Sequence, residues 1–312
     1  RRARSRPMFR RSRQALAAVF AALLLWGGSA AAEPGVLVLG RISDDPAAHY
    51  GQLKQLLDYV VPRMADVGIR EGRVLMARDV RQMESYLRRG RVDWVTETAA
   101  SAMALETRAG ARPLLLTERG GVGAYHTVFI ARRDRGIDSL DDLRGHSIAF
   151  QNPASTSAYF VPAMTLIGEG LDLEILLSPF DRPPPGSVGY LFARSELNVS
   201  TWVHKGLVDA GAFSNLDWES VQRMPESYRD DLMVFHVTDE YPRALEMVRG
   251  DLAPAVAARL REVLIEAAND PAASEALQRF FGTTRFLPID AATRQSLDAL
   301  RTGVSRVGTV IE

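Results

Sequence analysis

Three consecutive hydroxyl side chains, Ser155, Thr156 and Ser157, are the residues best suited to bind a ligand. They follow an apolar run at 147–150, which predicts a strand, and precede a segment that predicts a helix. A helix that begins after a strand offers free backbone N–H groups, and the hydroxyls add further donors. This arrangement predicts a site for a phosphate-like oxyanion. The alternative is that one hydroxyl only caps the helix while the others are solvated.

Motifs of catalysis and of metal binding are missing from the sequence. There is no Gly-x-Ser-x-Gly, no nucleotide-binding phosphate loop and no cysteine, and the five histidines are scattered without a pair at metal-ligand spacing. We therefore expect no enzyme activity, no metal and no cofactor. An unrecognised hydrolytic site is the remote alternative.

The first 32 residues have the pattern of an export signal. Seven arginines without an acid precede an apolar block at 15–26, and small residues follow at 27–32. The block is shorter than the roughly 20 residues that a membrane-spanning helix needs. We predict cleavage after Ala32 and a periplasmic protein that is not a lipoprotein, because no cysteine follows the block. An uncleaved N-terminal anchor is the alternative.

Removal of the signal changes the charge of the protein. The sequence has 38 basic and 38 acidic residues, and seven of the basic ones precede residue 33, so the exported chain has 31 basic against 38 acidic residues. Nucleic acid is an unsuitable partner for such a chain. A bound anion must be held by local groups rather than by the overall charge.

The exported part alternates predicted strands and helices. An apolar run at 36–39 precedes a helical pattern that includes Leu53, Leu56 and Leu57, and further strands are predicted at 74–76 and 92–95. This alternation predicts an α/β fold with a largely parallel sheet. A chain with 46% apolar residues and about 280 positions after cleavage favours two domains.

Residues 139–162, SLDDLRGHSIAFQNPASTSAYFVP, resemble a signature of the periplasmic binding components of phosphonate, phosphite and phosphate ABC transporters. The run RVDWV at 91–95 is similar to that family's first aspartate strand, and HKGLVDAGA at 204–212 is similar to its second. The similarity spans nearly all of the exported chain.

The resemblance implies a type 2 periplasmic-binding-protein fold with two lobes, each a mostly parallel sheet flanked by helices, that close on a ligand in the cleft between them. It places residues 33–131 and 235–312 in one lobe and residues 132–234 in the other. It also implies a monomer that delivers a small anionic or zwitterionic ligand to an ABC permease. Presentation of the ligand to a membrane sensor kinase is the alternative.

The resemblance also implies the residues that bind the ligand. Ser155, Thr156 and Ser157 would hold the oxyanion, and the loop at 96–101 would face them from the first lobe. The full set of expected contacts is Ser155, Thr156, Ser157, Tyr159, Thr96, Thr98, Ser101, Tyr125 and Asn215. The family's Gly-Pro turn is absent from the loop at 96–101, and Glu97 would repel an anion there but suit a cationic or zwitterionic ligand.

Overall fold

The computed structural model describes residues 34–311, so the predicted signal peptide lies outside the described residues. The strands, numbered in chain order, are β1 (Val36–Ile42), β2 (Glu71–Ala77), β3 (Trp94–Thr98), β4 (Arg112–Arg119), β5 (Ala124–Tyr125), β6 (Thr127–Arg132), β7 (Ser147–Phe150), β8 (Asp172–Ile175), β9 (Ser187–Phe192), β10 (Ala210–Ser214), β11 (Leu232–Val237), β12 (Tyr241–Pro242), β13 (Ala244–Val248) and β14 (Thr283–Leu287).

The helices are α1 (Pro46–Val60), α2 (Val80–Arg88), α3 (Ala99–Ala109), α4 (Val161–Gly168), α5 (Glu196–His204), α6 (Asn215–Glu219), α7 (Pro254–Ala267), α8 (Ser274–Arg279) and α9 (Ala291–Ile311). Several begin where the sequence offers a side-chain acceptor. Asp79 caps α2 by accepting from the Gln82 N–H at 2.8 Å, and Ser195 caps α5 by accepting from the Asn198 N–H at 3.1 Å.

Lobe one is built on a six-stranded sheet in the order β14-β4-β13-β3-β1-β2, with α1, α2, α3, α7 and α8 packed against it. The apolar residues of α1 recur at helical spacing, so they form one face. Leu53, Leu56, Leu57 and Val60 are fully buried in the core of this lobe. The predicted strand at 36–39 is confirmed as part of β1.

Lobe two is built on a second six-stranded sheet in the order β11-β6-β10-β7-β9-β8, with α4, α5 and α6 around it. Both sheets are mixed, with antiparallel strands beside the parallel βαβ units that were expected. In lobe one, β13 runs antiparallel to β3 and β4; in lobe two, β6 runs antiparallel to β10 and β11. The antiparallel strands are those reached after the chain has crossed between the lobes, whereas the βαβ units within a lobe remain parallel.

The chain crosses between the lobes at a short ribbon of β5 paired with β12, where Tyr125 lies opposite Tyr241. We had expected the crossings next to residues 131 and 235. The structure differs because β6 and β11 pair with each other and extend the sheet of lobe two, which places residues 127–131 and 235–237 there. Tyr241 donates a hydrogen bond to the Thr127 hydroxyl at 2.6 Å, which joins the two crossing segments.

The last helix, α9, contacts both lobes, since it packs against α3 of lobe one and α4 of lobe two. Arg301 binds Glu106 of α3 at 2.8 Å. Gly303 gives the helix its close approach to α4, because a Cβ at this position would lie 2.1 Å from Met164 Cε. The α9 helix therefore links the two lobes behind the crossing ribbon.

Candidate ligand-binding site

A cleft of about 930 Å³ lies between the two lobes, at the ends of their strands. Its walls differ in chemistry. Lobe one contributes mainly arginines, including Arg41, Arg119 and Arg243, together with Glu97. Lobe two contributes the turn after β7, which contains all three of the predicted hydroxyl residues. A cleft between α/β lobes at strand ends is where such folds bind small ligands.

The wall of lobe two is formed by the segment that connects β7 to α4. Ser155 is the N-cap of a short π-helical turn at Thr156–Phe160, and its hydroxyl accepts from the Ala158 N–H at 3.1 Å. Pro162 lies in the first turn of α4, where the N–H that proline lacks would have no acceptor within the helix. The chain therefore presents Ser155, Thr156 and Ser157 together at the cleft.

Thr156 also contacts lobe one directly. Its hydroxyl accepts from the Ala100 N–H at 2.9 Å and donates to the Thr98 hydroxyl at 2.8 Å. Thr98 is the N-cap residue of α3, yet its side chain makes no capping hydrogen bond to that helix. A side chain of lobe two thus caps a helix of lobe one, which ties the two walls together at one edge of the cleft.

Arg119 is the central cation of the lobe-one wall. It ends β4, its residue is only 7% exposed, and its Nε and Nη2 atoms are buried without a hydrogen-bond partner. No ion pair found among residues 34–311 includes its guanidinium. Its charge therefore remains available to a ligand, and a guanidinium binds the oxygens of phosphate-like groups with two parallel hydrogen bonds.

Two more arginines surround Arg119. The guanidinium groups of Arg41 and Arg119 lie over the ring of Phe281, at 4.2 Å and 4.6 Å from its centroid. Arg243 donates to the backbone oxygen of Arg119 at 2.7 Å. Burial and the nearby charge of Arg41 lower the pKa of Arg119 to about 10, so this side chain keeps its proton at neutral pH. The wall therefore holds concentrated positive charge.

Carboxylates complete the polar lining. Glu97 lies in the lobe-one wall, is 3% exposed, and accepts from the Ile42 N–H at 2.6 Å. Burial raises the pKa of Glu97, while the charges of Arg41 and Arg119 oppose the rise. On the side of lobe two, burial raises the pKa of Asp217, and burial together with the charge of Asp217 raises the pKa of Glu196.

The structure places five of the nine predicted contact residues on the cleft: Ser155, Thr156, Ser157, Thr98 and Tyr125. Tyr125 lies beside the crossing, and burial raises its pKa to about 12. Their contact with a ligand remains a prediction.

The other four lie away from the cleft lining, and their surroundings explain why. Thr96 donates to Glu246 at 2.9 Å within the sheet, and Ser101 donates to the Ala154 oxygen at 3.1 Å. Tyr159 packs among the rings of Phe150, Phe160 and Phe192. Asn215 accepts from the His126 N–H at 3.2 Å, while its neighbours Leu216 and Asp217 line the cleft.

The sequence reasoning missed Arg41, Arg119 and Arg243, since these residues are spread over about two thirds of the chain. A local signal was present for two of them. Each of Arg41 and Arg119 follows an apolar run that forms a strand, VLVLG before the first and LLLTE before the second. An arginine near the end of a buried strand points to the edge of the sheet where ligands bind.

Two α/β lobes, a cleft at their strand ends and a buried unpaired arginine define a substrate-binding protein of the two-lobed type. The model of one protein family, the periplasmic substrate-binding proteins of phosphonate ABC transporters, matches residues 43–293. The chain belongs to this family, which is periplasmic, and this confirms the resemblance and the type 2 fold.

Solved structures agree with this assignment. XAC2383 from Xanthomonas citri, solved with chloride, is 56% identical, covers 88% of this chain and 99% of its own, and has a TM-score of 0.85. The structure of XAC2383 with ATP is 55% identical, covers 89% of this chain and 100% of its own, and has the same TM-score of 0.85. PhnD1 from Prochlorococcus marinus, solved with methylphosphonate, has a TM-score of 0.63 at 16% identity and covers 88% of this chain and 100% of its own. The similarity to PhnD1 shows the fold alone.

A curated relative matches over a shorter stretch. The phosphate-import protein PhnD of Mycolicibacterium smegmatis is 28% identical over 109 residues, which is 31% of this chain and 34% of that protein. The match thus spans about a third of the relative's length.

The described residues also lack two features, a membrane-spanning helix and a metal-binding cluster. Between residues 34 and 311, no helix has the length and the apolar character needed to cross a membrane. The same residues contain no group of three or more His, Cys, Asp or Glu side chains placed to hold a metal ion.

Proposed function

We propose that this protein captures a small oxyanion of the phosphonate or phosphate class between its lobes and delivers it to an ABC permease. The observation that carries the proposal is the buried guanidinium of Arg119, whose Nε and Nη2 atoms have no partner in the cleft wall. Buried guanidinium nitrogens without hydrogen-bond partners are costly, and the oxygens of an anionic ligand would remove that cost on binding. The relatives that bind methylphosphonate and import phosphate support this ligand class.

The geometry suits a tetrahedral anion, because donors converge from two sides. Arg119 and Arg41 would neutralise the charge from lobe one, while Ser155 and Ser157 would donate hydrogen bonds from lobe two. Charge-assisted hydrogen bonds are about twice as strong as neutral ones. The arginines would therefore supply most of the affinity, and the hydroxyls would orient the oxygens once the lobes have closed.

The acidic groups of the cleft favour a ligand with a protonated amine as well as an oxyanion. Asp44, Glu196 and Asp217 line the cleft, and burial together with the negative charges of Asp217 and Asp44 raises the pKa of Glu196. An ammonium group near them would relieve this repulsion. An aminoalkylphosphonate carries both groups, so the zwitterionic class expected from the sequence is part of the proposal.

A nucleotide is the second candidate ligand. XAC2383, which shares 55% of its residues with this chain, was solved with ATP. The cleft of about 930 Å³ exceeds the size of methylphosphonate, and Arg78, Arg81 and Arg108 also line it. A chain of phosphates could extend along these side chains from the position of Arg119.

A thermal-shift and calorimetry screen of the protein without its signal tests these proposals. Ligands that bind the folded form raise its melting temperature. We expect phosphate, phosphite or a phosphonate to stabilise the protein, and 2-aminoethylphosphonate to exceed methylphosphonate if the acidic groups hold an amine. ATP as the best ligand would favour the nucleotide alternative. If no anion in the screen raises the melting temperature, the proposed class of ligand is wrong.

Delivery to a permease, rather than to a membrane sensor kinase, needs a separate experiment. The cognate permease and ATPase, reconstituted in liposomes, should hydrolyse ATP faster when the liganded protein is added. An unchanged rate, together with activation of a neighbouring kinase, would support the sensing role. N-terminal sequencing of the protein recovered from the periplasm tests the predicted cleavage after Ala32, and light scattering tests the predicted monomer.

A further inference from the structure

Glu97 is an acid at the centre of a wall built from arginines. We propose that Glu97 makes the cleft select oxyanions that carry an ionisable proton, such as hydrogen phosphonate and hydrogen phosphate, over sulfonate and sulfate. The inference rests on the proposed function and adds to it the basis of discrimination among tetrahedral anions.

The position of the Glu97 carboxylate is fixed by the backbone of a neighbouring strand. Its Oε1 atom accepts from the Ile42 N–H at 2.6 Å, next to Arg41 at the end of β1. The residue is 3% exposed, and the space that it does face is the cleft. The charges of Arg41 and Arg119 both act on it. An anion drawn to these two arginines therefore meets Glu97 in the same wall.

The chemistry of the ligand decides whether this meeting is favourable. Methanesulfonate and sulfate have no proton at neutral pH, so each would place an anionic oxygen against the carboxylate, and such a like-charge contact costs several kcal/mol. A phosphonate keeps a proton until its second ionisation near neutral pH, and phosphate keeps one even after that step. Their P–OH group can donate to Glu97, which converts the repulsion into a charge-assisted hydrogen bond.

Protonation of Glu97 gives the same selectivity a pH dependence. Burial raises the pKa of Glu97, so the acid holds its proton up to a higher pH than an exposed glutamate does. A sulfonate would bind next to protonated Glu97, and its binding would weaken as the pH rises and Glu97 becomes negatively charged. The other titratable or charged groups that line the cleft from lobe one are Arg41, Asp44, His49, Arg78, Asp79, Arg81, Arg108, Arg119, Tyr125 and Arg243. Glu246 lies fully buried in the neighbouring strand β13.

Glu97→Gln separates the proposed role from a structural one. Glutamine keeps an oxygen that can accept from the Ile42 N–H, while it removes the negative charge and adds two N–H donors. A purely structural Glu97 would therefore be replaced without a change in selectivity. Glu118→Gln is the matched control, because Glu118 lies next to Arg119 in β4 but binds Thr284 and Arg285 outside the cleft.

The experiment is isothermal titration of the whole exported chain with methylphosphonate, methanesulfonate, inorganic phosphate and sulfate. For the wild type at neutral pH, we expect each phosphorus anion to bind at least about tenfold more tightly than its sulfur counterpart, because of the like-charge contact. Glu97→Gln should reduce this ratio about tenfold or more by tightening the binding of the sulfur anions, and Glu118→Gln should leave it unchanged.

The wild type alone provides a second measurement that does not depend on the folding of a variant. In titrations from about pH 5 to about pH 8, the affinity of the wild type for methanesulfonate should fall as the pH rises, because burial raises the pKa of Glu97 above the ordinary glutamate value. The Glu97→Gln protein should lack the part of this loss of affinity that Glu97 causes. Any part caused by His49 should remain, because the variant still contains that residue. If the phosphorus anions bind but the ratio survives in Glu97→Gln, or methanesulfonate binding is independent of pH, the inference about Glu97 is wrong while the proposed function stands. If none of the four anions binds, both are wrong.

Discussion

The two walls of the cleft offer different chemical groups to the proposed anion. Lobe one brings arginines near the ends of separate strands, and one of them is buried with two guanidinium nitrogens that lack a hydrogen-bond partner. Lobe two brings neutral hydroxyls from one continuous turn, at Ser155, Thr156 and Ser157, while Arg223 and the carboxyl groups of Glu196 and Asp217 lie elsewhere in its wall. The comparison suggests that attraction comes mostly from one lobe and orientation mostly from the other, so that neither wall forms a complete site alone.

This division of labour predicts unequal effects of substitution. A hydrogen bond to a charged group contributes about 1.5–3 kcal/mol, and one between neutral groups contributes about 1 kcal/mol. Changes in the lobe-one wall should therefore weaken binding more than changes in the wall of lobe two. The variants below test that order, beginning with the largest expected effect.

Arg119→Gln should reduce the affinity for the best oxyanion about 100-fold, as expected for the loss of a charge-assisted pair. The melting temperature of the ligand-free protein should stay the same or rise, because the variant removes a buried unpaired charge. Calorimetry and thermal melts check the two outcomes. The control is Arg112→Gln, an exposed position at the start of the same strand. Unchanged affinity in Arg119→Gln would contradict the assignment of charge to this wall.

Thr156→Val should reduce the affinity about tenfold, because it removes two neutral hydrogen bonds from lobe two to Thr98 and Ala100 of lobe one. Small-angle scattering with saturating ligand should show a larger fraction of open molecules. Thr165→Val is the matched control, since the Thr165 hydroxyl donates at 2.8 Å to Val161 within its own helix. A loss as large as that of Arg119→Gln would overturn the proposed order of the walls.

Tyr125→Phe should weaken binding only several-fold, by analogy with the loss of a single neutral hydrogen bond. Tyr125 lies at the crossing between the walls, and its hydroxyl hydrogen-bonds Ser157. Titration calorimetry measures the change, with Tyr86→Phe as a control because Tyr86 belongs to α2 outside the cleft lining. A loss of affinity above about tenfold would mean that Tyr125 contributes more to ligand binding than a single neutral hydroxyl of lobe two does.

The pH dependence of stability should show the smallest effect. Burial raises the pKa of Glu97 and Glu246 in lobe one and of Glu196 and Asp217 in lobe two. Each group then contributes stability that is full below its unfolded pKa near 4 and is lost as the pH rises through its folded pKa. The ligand-free protein should melt at a higher temperature at mildly acidic pH than at pH 8, and Glu97→Gln should reduce the difference.

Carboxyl groups with a lowered pKa should make the melting temperature fall at strongly acidic pH. Glu118 is hydrogen-bonded to Arg285 and Thr284, and Asp270 accepts from the Ala272 N–H, so the pKa of each lies below its usual value. Their contribution is present above the unfolded pKa and is lost as the pH falls through the folded one. A melting temperature that rises steadily from pH 5 to pH 8 would contradict the assignment of raised pKa values in the cleft.

The difference between the walls also explains which parts of the site the sequence revealed. The hydroxyl residues of lobe two are consecutive, and their strand, turn and helix lie within one short window, so local reasoning placed them on the cleft. Arg41, Arg119 and Arg243 converge only because three separate segments reach one sheet edge. Thr96 was assigned to the cleft by its place in a loop, whereas the neighbouring strand supplies Glu246 as its partner.

Local physics likewise fixed much of the fold and left the topology open. Apolar spacing predicted β1 and the buried face of α1. The sequence could not assign β6 to one lobe, because an apolar strand of this kind is compatible with either. Only its pairing with β10 and β11 assigns it to lobe two.

The sequence by itself determined the family, the α/β class and the hydroxyl-rich turn, because each depends on residues that are close in the chain. The tertiary structure alone decided that an arginine cluster faces this turn, that Glu97 lies within that cluster, and that Thr156 caps a helix of the opposite lobe. These features depend on the packing of strands that are distant in sequence, and periodicity and spacing within a segment carry no information about such packing.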